Sequence, residues 1–99
     1  MLNIEKKEDG SNLNLTLTGR LDTVTAPQLD EEVKGELDGI ESLVFDIQNL
    51  EYISSAGLRV LLSAQKIMNK QGKMIVRNAS EEVKEIFEVT GFSDILTIE

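Results

Sequence analysis

Leu43-Val44-Phe45-Asp46-Ile47 runs through residues 48–54 into Ser55-Ala56-Gly57-Leu58-Arg59-Val60-Leu61-Leu62. The short, mostly apolar first run predicts a central strand buried on both faces. Residues 48–54 read as a loop. From Ser55 to about Lys70 the pattern predicts a helix, with Ala56, Leu58, Val60, Leu61, Leu62, Ala64, Ile67 and Met68 as a dense apolar set. Only Arg59, Ser63, Lys66 and Lys70 are left as a narrow solvent stripe, so this helix is expected to be the most buried one. A buried strand followed by a buried helix is the repeating unit of an α/β domain. In such sheets the loop at the carboxyl end of a central strand is where ligands and partners meet the fold.

Toward the N-terminus the period changes. Leu2 and Ile4, then Leu13, Leu15 and Leu17, alternate with polar neighbours, and Asp9-Gly10 lies between the two runs. Residues 1–18 therefore read as a hairpin turning at Asp9-Gly10, with one face of its sheet wet. Gly19 is expected to end the second strand and residues 20–24 to form a loop. Thr25 and Gln28 fit a capping box at the start of a helix, with Pro27 in its first turn and Ala26, Leu29, Val33 and Leu37 facing inward.

Toward the C-terminus Gly72 is placed to stop the central helix, and Met74-Ile75-Val76 reads as another buried strand. Ser80 is the expected cap of a third helix, with Glu81 and Glu82 in its first turn and Gly91 at its end. A last short strand is expected over residues 95–98. The predicted order is ββαβαβαβ: an α/β domain with neighbouring parallel strands and an antiparallel hairpin at one edge.

The 99 residues suit one compact domain, and 40% apolar with 28% charged residues is an ordinary globular composition. There is no Cys and no His. Disulfides, thiolate and imidazole metal sites, thiol nucleophiles and Ser-His pairs are thereby excluded. A net charge of −8 and a pI near 4.5 argue against nucleic acid and anionic membrane as partners. No apolar run approaches the roughly 18 residues needed to cross a bilayer, and residues 1–9 lack a signal-peptide apolar core, so a cytoplasmic location is expected. Five bases and no acid lie between Tyr52 and Ser80. They read as a solvated helix face or as a patch for an acidic partner.

Little here can carry catalysis. No phosphate-binding glycine loop and no G-x-S-x-G is present, and without His a serine nucleophile would need Lys as its base. Asp22 and Asp46 could hold Mg²⁺ at strand ends for a hydrolytic reaction, or simply cap a loop and a strand end. The chain is expected not to be an enzyme and to carry no cofactor and no metal. Ser54-Ser55 could be no more than a helix cap, although one serine suffices for that. Gly57 in the first helical turn points to backbone kept bare for a close approach.

Ser54-Ser55-Ala56-Gly57-Leu58-Arg59 resembles the acceptor loop of the STAS domain, as found in the small stand-alone anti-sigma factor antagonists of bacteria. Their loop reads roughly Asp-Ser-(Ser/Thr/Ala)-Gly-Leu-Gly. The segment Gly19-Arg20-Leu21-Asp22-Thr23-Val24-Thr25-Ala26 is similar to the family's Gly-Glu-Leu-Asp-x-x-Thr-Ala, and Val83, Ile86, Phe87 and Gly91-Phe92 match its later helix and turn. The resemblance implies one STAS domain over residues 1–99. It further implies a mixed four- to five-stranded sheet with an N-terminal hairpin and three to four helices packed mainly on one face.

The implied function is that of a binding switch. When unphosphorylated, the chain is expected to bind an anti-sigma factor with serine kinase activity, which frees the sigma factor. Phosphorylation at Ser55, or alternatively at Ser54, ends that binding, and a PP2C-type phosphatase reverses it. Asp22, Thr23, Ser54, Ala56, Gly57, Leu58 and Arg59 are the expected partner-binding residues. Two positions depart from the family pattern: Ser54 stands where Asp is usual, and Arg59 replaces the second Gly. The alternative is a STAS interaction module of a signalling or transporter-associated complex, with no phospho-switch.

Overall fold

The structure, a computed structural model, describes residues 1–99. Strand β1 (Leu2–Asp9) pairs antiparallel with β2 (Asn12–Leu21). Helix α1 (Ala26–Glu36) crosses to β3 (Ser42–Ile53), which runs parallel to β2. Helix α2 (Ser55–Met68) leads to β4 (Lys73–Arg77), parallel to β3. Helix α3 (Glu81–Thr90) and a 3₁₀ turn at Phe92–Asp94 follow. The sheet order is β1-β2-β3-β4, so the α/β class, the hairpin edge and the parallel interior agree with the sequence reading.

The hairpin register pairs Asp9 with Asn12, so the turn residues are Gly10-Ser11, one position later than expected. Gly10 has φ +62 there, the left-handed conformation that a first turn position of this kind requires.

Alternation in β2 works as the sequence implies. Leu13, Leu15 and Leu17 are fully buried under the helices, while Asn12 and Thr18 are exposed. β3 is the correction: Leu43, Phe45 and Ile47 are buried, but Val44 and Asp46 on the other face are only partly covered. The central strand is thus buried on one face, because every helix lies on the same side of the sheet. Phe45 from β3, Leu29 and Val33 from α1, Leu61 from α2 and Phe87 from α3 join in one core. Lys6 of β1 reaches α1 at Glu36 over 2.7 Å, and Gln28 of α1 donates to the Leu2 carbonyl, tying the hairpin to the helix layer.

Four further boundaries differ from the sequence reading. β2 continues past Gly19 to Leu21, and β3 continues through residues 48–53 instead of becoming a loop. Both extensions pair with each other, but with β-bulges: Thr16 faces Asp46 while Thr18 faces Asn49, and Gly19 faces Leu50 while Arg20 faces Tyr52. Each shift inserts one extra β3 residue, which breaks the period-2 pattern and hides the strand from pattern reading. α2 stops at Met68, short of Lys70, so that Gly72 can pass against the Glu41 backbone; a Cβ on Gly72 would lie 1.9 Å from the Glu41 carbonyl oxygen. The expected strand over 95–98 is a single bridge between Val76 and Ile98, since the 3₁₀ turn leaves only the last residues to run beside β4.

Candidate functional site

The carboxyl ends of β2 and β3 form one rim of the domain. Leu21 and Ile53 are register partners there, and the Ser54 N–H donates to the Leu21 carbonyl over 2.9 Å. Two turns leave this rim side by side, one into α1 and one into α2.

The first turn is held by Asp22. Its Oδ1 accepts from the Val24 N–H at 3.0 Å and the Thr25 N–H at 3.1 Å, a local side-chain turn that Asp favours. The Thr25 backbone donor above all, with help from the Thr25 hydroxyl, the Val24 N–H and the Arg20 charge, holds the Asp22 carboxyl below its ordinary value of 3.8. The Thr25 hydroxyl donates to the Arg20 carbonyl over 2.8 Å and accepts from the Asp22 N–H over 2.9 Å. Thr25 therefore closes the turn and makes no side-chain cap on α1. The capping box with Gln28 is not formed, because Gln28 is spent on β1. Thr23 and Val24 are pushed outward, and Val24 is 85% exposed.

The second turn divides the two serines. Ser54 has extended backbone (φ −95, ψ 175), and its Oγ accepts from the Gly57 N–H over 3.3 Å, which makes it the cap of α2. Ser55 is the first helical residue and is exposed. Gly57 is buried, and a Cβ there would meet Leu21 Cγ at 2.6 Å and Ile53 Cγ1 at 3.0 Å. The close approach foreseen at Gly57 is thus made by the protein's own core. Leu58 is also interior, at 4% exposure.

Of the residues singled out from the sequence, Thr23, Ser55 and Arg59 are exposed, and Ala56 is partly exposed beside them. Asp22 and Ser54 are half-buried and shape the two turns, while Gly57 and Leu58 fix α2 against the sheet. A shallow groove between α1 and α2 opens at this rim, lined by Thr23, Pro27, Ala56, Arg59 and Ser63 among others. Sequence reasoning passed over Val24, whose signal is an isolated apolar residue between two threonines. It also passed over Arg20, whose guanidinium stacks 4.6 Å above the Tyr52 ring on the same rim.

Asp22 and Asp46 are not brought together. Asp46 sits opposite Thr16 in mid-sheet and binds the Gln48 N–H and Asn78 Nδ2, whereas Asp22 lies beyond the end of β2. Six residues of strand separate the two levels, about 20 Å. No group of three or more potential metal-ligating side chains is clustered anywhere in the chain, and no helix is long and apolar enough to cross a membrane.

Comparison with known proteins gives the lineage of this arrangement. The chain is 38% identical over 84 residues to BtrV of Bordetella bronchiseptica, provisionally named an anti-sigma factor antagonist, covering 83% of this chain and 72% of that one. It is 28% identical over 98 residues to the anti-sigma-B factor antagonist of Bacillus subtilis, covering 98% of this chain and 90% of that one. The fold superposes on the Bacillus cell fate determinant SpoIIAA, solved in its phosphorylated form, with a TM-score of 0.76 at 15% identity, covering 98% of this chain and 91% of that one. The STAS domain family model matches residues 3–99. With the sheet order, the single helix layer and the two adjoining turns already described, the chain belongs to the STAS domain family.

Proposed function

We propose that this protein is an anti-sigma factor antagonist whose binding surface is the rim around Ser55, switched by phosphorylation of that serine. The observation that carries the reading is the division of labour at the start of α2: Ser54 is engaged as the cap, while Ser55 stands exposed at the rim, next in sequence to Ala56 of the α1–α2 groove. The names of the two sequence relatives support the antagonist role, and a structural neighbour that exists in a phosphorylated form supports the switch.

With the hydroxyl bare, the rim offers a small polar group next to the Ala56 side of the groove, with Val24 exposed on the adjoining turn. The partner is an anti-sigma factor, which on binding here releases the sigma factor it holds. As a serine kinase, the same partner directs the Ser55 Oγ onto the γ-phosphorus of ATP. The Oγ–P bond forms, the bond from that phosphorus to the bridging oxygen breaks, ADP leaves, and the serine proton passes to a base of the kinase. The chain is the substrate of this step and performs no chemistry of its own. The product carries about −1.5 to −2 extra charge in the middle of the contact area. Desolvating that dianion against a surface shaped for a hydroxyl costs several kcal/mol, so affinity falls by orders of magnitude. A PP2C-type phosphatase hydrolyses the ester and restores binding.

The test is intact-mass analysis after incubation with the cognate anti-sigma kinase, ATP and Mg²⁺. One added phosphate, abolished by Ser55→Ala and retained in Ser54→Ala, is the expected result. Phosphate mapped to Ser54 would move the switch to that residue, whereas no phosphate at all, or equal partner affinity for Ser55→Ala and Ser55→Asp, would leave a STAS interaction module without a phospho-switch.

A further inference from the structure

We propose that Arg59 pairs with the phosphate carried by Ser55, so that one modification both adds a dianion to the rim and withdraws a cation from it; this rests on the acceptor assignment above. Ser55 is the first residue of α2 and Arg59 lies four positions on, so the two share one helix face with Cβ atoms about 5–6 Å apart. Side chains on a helix lean toward its N-terminus, which aims the long Arg59 side chain back along the helix toward Ser55. Both residues are exposed, so neither has to leave a packed position for them to meet.

Arg59 has no competing counter-charge. It takes part in none of the four ion pairs, and α2 contains no acidic residue. The one carboxylate lining the same groove, Asp30, is already held by Lys34 at 2.9 Å. Across the rim, Asp22 is engaged by the N–H groups of its own turn, with Arg20 at 3.8 Å. A planar guanidinium with nothing to neutralise it therefore stands one turn from the hydroxyl that gains a phosphate. Guanidinium donates two parallel N–H bonds to phosphate oxygens, a geometry that an ammonium lacks. In the unmodified protein the same guanidinium faces outward, free for an acidic group on the partner. Phosphorylation turns it inward.

The experiment installs phosphoserine at position 55 during translation, so no kinase is needed, and follows the phosphate by ³¹P NMR as pH is varied. The second ionisation of a phosphoserine lies near pH 6. With Arg59 present its midpoint is expected about half a unit or more below that of Arg59→Gln, roughly a threefold change in the ionisation constant. Arg59→Lys should fall between the two, and Lys66→Gln, on the same helix, should match the unsubstituted protein. Identical midpoints with and without Arg59, or an equal loss in Lys66→Gln, overturn the pairing. This readout is separate from that of the switch itself: if phosphate at position 55 leaves partner affinity unchanged, the acceptor reading fails while the NMR shift still reports on Arg59.

Discussion

Leu21 and Gly57 are packed so closely that a single added carbon on the glycine would stand 2.6 Å from Leu21 Cγ. The end of β2 and the first turn of α2 thus share one contact with no slack, and that contact sets where Ser55 emerges. Gly57→Ala should destabilise the fold by about 2 kcal/mol, since overpacking outweighs the roughly 1 kcal/mol of helix propensity gained. Trimming the neighbour in Gly57→Ala/Leu21→Ala should cost clearly less than the sum of the two single changes. Urea unfolding of all four proteins measures this coupling; strict additivity would mean that the two residues do not press on each other.

The adjacent serines should separate stability from modification. Ser54→Ala removes the α2 cap and should lower unfolding free energy by about 1 kcal/mol while leaving phosphate incorporation intact. Ser55→Ala should change stability by no more than about 0.5 kcal/mol, as an exposed side chain does, and abolish incorporation. Thermal melts run beside a kinase assay give both readouts on the same samples.

Asp22 predicts a pH dependence. Its carboxyl is held below the ordinary 3.8, chiefly by the Thr25 backbone N–H, so the folded state favours the ionised form. Such a group stabilises the fold above its unfolded pKa, and the contribution disappears as pH falls through the lower, folded value. Asp22→Asn should therefore be less stable than the unsubstituted protein at neutral pH, and the two should converge below about pH 4, where an unfolded Asp itself becomes protonated. Chemical denaturation at a series of pH values between 7 and 2 would show this narrowing; a gap that stays constant into acid would assign the loss to something other than ionisation.

Val24 is expected to serve the partner and not the fold. At 85% exposure, Val24→Ser should leave stability within about 0.5 kcal/mol. Placed on the turn that adjoins the start of α2, the same change should weaken anti-sigma factor binding by about tenfold or more, in the range of a minor hot spot. Calorimetric titration against the partner decides the matter, and an unchanged affinity would move the interface away from the Asp22 turn.

Much of this architecture is legible in the chain. The leucine alternation at 13, 15 and 17 shows a sheet with one covered face, Ser80 and Gly91 bracket α3, and the adjoining serines mark the start of α2. The failures share a cause, which is that they depend on neighbours distant in sequence. The extension of β3 through residues 48–53 is stabilised by pairing to β2 across bulges, and a bulge erases the periodicity by which strands are recognised. Gly57 reads locally as a bare approach path, and only the position of Leu21, thirty-six residues earlier, shows what fills that space. Thr25 and Gln28 have the spacing of a capping box, yet the Arg20 carbonyl and the Leu2 carbonyl bind them instead.

The hairpin tip has a practical use. Gly10 has open space around it, and it lies the whole length of β2 away from the Asp22 turn, about 30 Å. A fluorophore or affinity handle grafted at the tip would therefore sit clear of any docked regulator. Immobilising the molecule by that corner presents its opposite pole to solution, an orientation suited to watching single association and release events as the serine is modified and restored.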